Sequence, residues 1–432
     1  MKPARVLVVD DSVVVRRILT EELAADPGIE VVGVAANGRI ALDKLENLDV
    51  DVVVLDVEMP EMDGLSTLRE LRKRNRRLPV IMFSTLTERG ARATLEALSA
   101  GASDYVTKPA NVGSVTESRE RVRTELAPKV KALAEGASSR GVARPGGRPV
   151  TPPLPGRRTD NPFRTDRTAD RSAERALDRP RADRSAPDRP ALDRPALDRP
   201  VATARPRGVA TAPQVLAIGC STGGPEALTA VLRELPADLP VPVVVVQHMP
   251  PVFTALFAER LDKASRLQVH ESRDGTPLLP GHVYLAPGDY HLELDRATPG
   301  PAGRVVTKLH QRPPENFCRP AVDVLFRSVA KVYGGAVLAL VLTGMGSDGK
   351  LGCTDIVAAG GEVLVQDRAS SVVWGMPGAV ADAGLAHAVL PLPDIPGQLL
   401  ARLSRRGSVP SGRAEVADRT PGRDRTGAGL TR

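Results

Sequence analysis

Nothing in this 432-residue chain approaches the ~20 consecutive apolar residues needed to cross a bilayer, so no membrane insertion is expected. Cysteine is scarce. Cys220, Cys318 and Cys353 form neither a CxxC pair nor an even framework, which points to a reducing, cytoplasmic compartment. No cleavable signal pattern opens the sequence, and Met1 to Val9 reads as an apolar strand instead. The histidines other than His248 show no metal-ligand spacing, which argues against a zinc hydrolase. No helix-turn-helix pattern stands in a folded basic region, which argues against DNA binding.

The chain carries a net charge of +7, and where that charge lies decides its meaning. Residues 136–212 hold 17 Arg, no Lys and 9 Asp/Glu, and residues 404–432 hold 7 Arg against 3 acids. Those two segments account for more than the whole surplus, so the remainder is acidic. Charge runs in low-complexity sequence are usually solvated spacers, and no nucleic-acid partner is expected.

Residues 1–135 alternate strand-like and helix-like periods five times. Strands are expected at Arg5–Val9, Glu30–Val34, Asp51–Leu55, Pro79–Phe83 and Asp104–Val106. Helical patterns lie near Val13–Ala25, Gly38–Leu48, Leu65–Arg74, Glu88–Ala100 and Asn111–Leu133. Near-continuous Val/Ile/Leu strands imply a parallel sheet covered on both faces, and regular alternation implies a doubly wound α/β domain. Asp10 and Asp11 end the first strand, Asp56 the third and Ser84 the fourth, while Lys108-Pro109 follows the fifth. Isolated strand-end acids are ordinarily solvated loop residues. Five polar groups at one sheet edge are harder to dismiss: a carboxylate nucleophile, a hydroxyl, a lysine and an oxygen-rich Mg²⁺ cluster suit phosphoryl acceptance.

These motifs, Val-Val-Asp10-Asp11-Ser, Leu-Asp56-Val-Glu-Met-Pro60-Glu-Met-Asp-Gly64, Phe-Ser84-Thr and Thr-Lys108-Pro, resemble the receiver domain of two-component systems. The resemblance implies a flavodoxin-like domain over 1–125 with Asp56 as phosphoacceptor. It implies Asp10, Asp11, Asp56 and the backbone carbonyl of Glu58 around Mg²⁺, Ser84 and Lys108 as phosphoryl-sensing residues, and Tyr105 as the switch aromatic.

Composition changes after Ala134. Residues 126–212 read as a helix end followed by a Pro/Arg/Asp-rich linker, with Ala191-Leu-Asp-Arg-Pro195 repeated as Ala196-Leu-Asp-Arg-Pro200. One Leu per five residues builds no apolar face, and a Pro at that spacing breaks any helix, so a disordered spacer is expected. Residues 404–432 are expected to be a disordered tail.

Residues 213–403 alternate again. Strands are expected at Gln214–Ile218, Val243–Val246, Val283–Leu285, Ala336–Leu342 and Glu362–Val365, with helices at Pro225–Leu235, Phe253–Lys263, Ala321–Lys331 and Lys350–Ala359. Gly219-Cys220-Ser221-Thr222-Gly223-Gly224 forms a strand–turn–helix junction, where open parallel sheets place their sites and a helix N-terminus stabilises an oxyanion or a phosphate. Alone, that stretch serves nucleotide binding as readily as covalent catalysis, although it lacks the P-loop lysine. His248 and Asp348 fall at two further strand ends. A hydroxyl, an imidazole and a carboxylate are the parts of an acyl-transfer site. Singly, His248 reads as a satisfied polar residue, Asp348 as a helix N-cap, and Cys220 competes as nucleophile.

The order Ser221, His248, Asp348, within Gly-Cys-Ser221-Thr222-Gly-Gly, Gln-His248-Met-Pro and Leu-Thr-Gly-Met345-Gly-Ser-Asp348-Gly, resembles the catalytic domain of chemotaxis protein-glutamate methylesterases. Tyr284-Leu-Ala-Pro-Gly288 and Arg319-Pro-Ala-Val-Asp-Val-Leu-Phe326 are similar to that family too. The resemblance implies two doubly wound parallel-sheet domains joined by a long linker, and a monomer. It implies an esterase and glutamine deamidase acting on methyl-accepting chemoreceptors without a catalytic cofactor, and controlled by a chemotaxis histidine kinase. Backbone N–H groups near Thr222 and Met345 are then oxyanion candidates. Cys220 and Cys318 receive no role. A response regulator with a binding-module output, or the same hydrolase in a different signalling array, remains open at this point.

Overall fold

The computed structural model describes residues 2–108, 115–139, 212–298 and 303–404. Residues 140–211 of the expected linker and 405–432 of the expected tail fall outside these, as does Pro109. The described segments belong to one compact unit.

In the first segment β1 (Ala4–Val9), β2 (Ile29–Ala35), β3 (Val52–Asp56), β4 (Val80–Ser84) and β5 (Asp104–Thr107) form one parallel sheet in the order β2-β1-β3-β4-β5. The order reverses at β1, so the carboxyl ends of β1 and β3 lie side by side at the sheet's switch point. Helices α1 (Val13–Ala24), α2 (Gly38–Asn47), α3 (Gly64–Arg74) and α4 (Glu88–Ser99) connect the strands. Each begins on a side-chain cap, with Ser12, Asn37, Asp63 and Thr87 accepting from backbone N–H groups of the first turn. The expected Leu65 start of α3 thus moves back one residue, because Asp63 caps it.

The helical run after β5 passes from α5 (Val115–Arg121) through a π turn (Val122–Leu126) into α6 (Ala127–Ser139). Val122, Leu126, Val130 and Leu133 are all buried and join Val6, Val8 and Val54 in one core layer. Their spacing of three to four residues is the apolar stripe of a helix lying on a sheet, so the helix expected over Asn111–Leu133 runs on to Ser139, past the end of the 1–125 span of the resemblance.

In the second segment β6 (Val215–Cys220) is followed by α7 (Gly224–Arg233), β7 (Val243–Gln247) and α8 (Phe253–Ala264). Then come β8 (Gln268–Glu271), β9 (His282–Leu285), the hairpin β10 (His291–Arg296) and β11 (Val305–His310), and α9 (Val322–Tyr333). The segment closes with β12 (Val337–Val341), α10 (Lys350–Ala358), β13 (Glu362–Gln366), α11 (Met376–Asp382), β14 (Ala388–Leu390) and α12 (Ile395–Leu403). Seven strands pair in the order β14-β13-β12-β6-β7-β9-β8, every pairing parallel, with β10 and β11 forming a separate antiparallel pair. The central strands β6, β7 and β12 are buried throughout, which is why they read as unbroken apolar runs.

Candidate active site

At the carboxyl edge of the first sheet, carboxylate oxygens of Asp10, Asp11 and Asp56 lie within 4.8 Å of one another. Asp10 and Asp56 are buried, and Asp11 is exposed. The Lys108 ammonium reaches both buried members, at 2.9 Å from Asp10 Oδ2 and 2.8 Å from Asp56 Oδ2. Burial pushes Asp56 up to about 6, Lys108 pulls it back, and the neighbouring Asp10 charge raises it further. Two buried carboxylates sharing one cation are under-neutralised. Three hard oxygen donors around one point suit a divalent ion that keeps some of its water, so these residues fit Mg²⁺. Ser84 Oγ donates to the Gly90 carbonyl at 3.1 Å, and Glu58 turns its carboxylate towards Arg89 at 3.5 Å.

Register brings the second group of residues together. Cys220 pairs with Gln247 across β6 and β7, so Ser221 and His248 each stand one step past paired residues. His248 N–H donates to the Cys220 carbonyl at 3.2 Å. β12 flanks β6 on its other side, with Val341 opposite Gly219, and the loop leaving β12 carries Asp348. Its first turn presses close: a Cβ on Gly344 would stand 2.9 Å from Ser221 Cβ.

His248 Nε2 meets Asp348 Oδ2 at 2.8 Å, and its Nδ1 lies 3.6 Å from Cys318 Sγ. Burial works against the imidazolium, but the Cys318 sulfur and the Asp348 carboxylate push His248 up to about 10. Asp348 is buried and fully engaged. It accepts from the N–H of Val322 at 2.6 Å, Asp323 at 3.0 Å and Gly349 at 2.9 Å, and from Asn316 Nδ2 at 2.9 Å. Burial opposes its charge, and the bonds from His248 and from the backbone outweigh that, holding it below the usual carboxylate range. The reading of Asp348 as N-cap of the helix that follows it does not hold. Gly349 precedes α10, and the Asp348 carboxylate caps the first turn of α9 instead.

Ser221 is half-buried, and its N–H donates to the Thr343 carbonyl at 3.1 Å. Among the described residues its hydroxyl makes no hydrogen bond, so imidazole and carboxylate are joined while the serine stands beside them. Cys220 does not compete. It is fully buried at the end of β6, burial pushes its thiol far up, and its sulfur faces the Val246 carbonyl. The backbone N–H groups of Thr222 and Met345 donate to no acceptor among the described residues, which leaves them available to an oxyanion.

The sequence motifs do not single out Asn316, Asp104, Phe253 or Arg260, which the structure brings to this region. Asn316, in left-handed backbone at φ 52°, bridges Asp323 and Asp348 at 2.9 Å each. Asp104 Oδ2 accepts from Thr222 Oγ1 at 2.6 Å, so the first segment touches the residue next to Ser221. The Tyr105 ring stacks on Phe253, centroids 4.7 Å apart and 3° from parallel. Arg260 Nη1 adds a bond to the Leu95 carbonyl at 2.5 Å. Contacts between positions more than a hundred residues apart carry no local signature.

Residues 6–119 match the family model described as response regulator receiver domain, and residues 216–399 match CheB methylesterase. Together with the two strand-edge clusters, these matches define the class: a response regulator whose output is a methylesterase-type α/β domain. A protein-glutamate methylesterase/protein-glutamine glutaminase of Nocardioides sp. is 50% identical over 419 residues, covering 95% of this chain and 99% of its own. That of Trichodesmium erythraeum is 45% identical over 404 residues, covering 93% and 100%. The solved CheB methylesterase catalytic domain of Thermotoga maritima is 43% identical, covers 44% of this chain and 99% of its own, and has a TM-score of 0.42. The chain belongs to the protein-glutamate methylesterase/protein-glutamine glutaminase family.

Proposed function

We propose that this protein hydrolyses glutamate γ-methyl esters on chemoreceptors and deamidates specific receptor glutamines under control of Asp56 phosphorylation. The observation that carries the reading is the part-buried 2.8 Å His248–Asp348 pair, one register step across the sheet from Ser221.

Ser221 Oγ attacks the γ-acyl carbon, and His248 takes its proton. With Nε2 committed to Asp348, Nδ1 is the nitrogen left for that transfer, and it then protonates the ester oxygen or amide nitrogen, which departs as methanol or ammonia as its bond to the acyl carbon breaks. Asp348 fixes the ring and stabilises the imidazolium. Water next attacks the acyl-serine with His248 again as base, which restores Ser221 and leaves a glutamate. The N–H groups of Thr222 and Met345 supply the oxyanion hole, where one lost donor costs ~2.7–4 kcal/mol.

In the receiver, Asp10, Asp11, Asp56 and the Glu58 carbonyl would hold Mg²⁺, which neutralises the charge of the incoming phosphoryl group. Ser84 and Lys108 sense the modified Asp56, with Tyr105 as switch aromatic. Tyr105 already lies on Phe253, and Asp104 on Thr222, which supports a receiver that covers the serine loop until phosphorylated by the chemotaxis histidine kinase. Among the described residues no helix is long and apolar enough to cross a membrane, in keeping with an enzyme that meets receptors from solution.

Methanol release from methylated receptor membranes tests the assignment. Ser221→Ala should abolish it and Cys220→Ala should leave it near the parent rate. A harmless serine change with an inactivating cysteine change would refute the nucleophile.

A further inference from the structure

Away from both clusters, a cleft of about 690 Å³ opens between the receiver and the catalytic segment. Among the described residues its walls carry four arginines, Arg72, Arg76, Arg77 and Arg368, and no carboxylate, lysine or histidine. Arg76 and Arg77 follow α3 in the receiver, and Arg368 follows β13 in the catalytic segment, so the two halves contribute charge to one space. All three are exposed. Their guanidinium groups make no hydrogen bond or ion pair among the described residues. The nearby Asp367 is occupied by Ser370 N and Oγ, at 2.9 and 2.5 Å. Glu135 lines only the smaller adjoining cavity, which shares Arg368.

Arg72 is the independent observation. It is half-buried, and its guanidinium donates to the carbonyls of Gly101, Asn75 and Leu78 at 2.8–3.0 Å with no carboxylate partner among the described residues. Burial without a counter-charge lowers it to about 10. Partly desolvated charges are normally paired, so the cleft wall carries at Arg72 a positive charge without a carboxylate among the described residues, which three exposed arginines reinforce.

We propose that this cleft binds a nucleotide-sized organic polyphosphate that bridges the receiver and the catalytic segment. Planar guanidinium forks match phosphate oxygens bidentately. The volume falls in the range of small-molecule sites and exceeds what a lone phosphate needs. Pro79, Ala137, Ala369 and Val372 give the walls an apolar part, and arginine faces accept a base by stacking. A ligand held by both halves favours the arrangement in which they touch. By linkage, anything that separates them weakens the ligand. The binding claim is independent of the esterase reading, because its readout is affinity and not turnover.

The test is calorimetric titration of the full chain with ADP and with inorganic pyrophosphate, at low salt with chelator present so that the Asp56 cluster takes no metal. ADP should bind below ~1 mM and more tightly than pyrophosphate. Arg76→Ala/Arg77→Ala and, separately, Arg368→Ala should each weaken ADP about tenfold, with unchanged circular dichroism because these side chains are exposed. Arg76→Lys/Arg77→Lys should recover part of the loss, since charge returns without the fork. No ADP binding, equal affinity for pyrophosphate, or affinity unchanged in the alanine variants would each overturn the proposal. Binding of an acidic peptide in place of ADP would overturn it as well.

Discussion

At the scale of single residues, the chemistry turns on which atoms face His248. Its folded pKa of about 10 lies above the unfolded 6.5, so the imidazolium–Asp348 pair contributes stability that is complete below about pH 6.5. That contribution is lost as pH rises through about 10. His248→Gln should flatten the pH dependence of the denaturation midpoint across that window; an unaltered profile would place the charge elsewhere. The same raised value holds the base protonated near neutrality, so methanol release by the unphosphorylated protein should climb with pH on the alkaline side. Cys318→Ala removes the sulfur on Nδ1 and should shift that climb to lower pH, as read from kcat/KM profiles. Ser221 and His248 were legible as candidates because each falls one residue past an apolar strand, and Asp348 because it lies in the Gly-rich loop leaving β12 at the same edge of the sheet. Asn316 and Cys318 lie in a loop with no periodicity, and nothing in the residue letters shows that they reach His248 and Asp348.

At the scale of elements, close backbone approach sets the turns that aim these side chains. A Cβ on Gly64 would stand 2.1 Å from the Asp56 carbonyl oxygen, where main chain has to move. Gly64→Ala should therefore cost about 1–3 kcal/mol in urea denaturation and slow phosphorylation of Asp56 by a small phosphodonor. Parent-like values in both would show that the β3–α3 turn tolerates the side chain. Buried strands announced themselves as apolar runs. β8, with Gln268, His270 and Glu271 alternating against Val269, and β14, only three residues long, did not, because edge strands are half-solvated and short. The hairpin of β10 and β11 was likewise hidden. His291 and Glu293 on one strand, and Lys308 and His310 on the other, interrupt any apolar pattern.

At the scale of the whole molecule, the receiver and the catalytic segment meet through a hydroxyl–carboxylate bond beside Ser221 and an aromatic stack on Tyr105. Asp104→Asn weakens a charge-assisted bond worth about 1.5–3 kcal/mol, so basal methanol release without phosphodonor should rise about tenfold. An unchanged basal rate would mean that the contact does not restrain the serine loop. None of these contacts could be read in sequence, since Asp104 and Thr222 have no shared pattern and meet only after both sheets have formed. The fold of each half follows from local alternation, whereas their junction is a property of two finished surfaces. Acid-quenching the phosphorylated enzyme on methylated receptor, followed by peptide mass mapping, bears most directly on the chemistry. The account predicts a receptor glutamyl ester on Ser221 that disappears in Ser221→Ala. An adduct on Cys318 instead would contradict it.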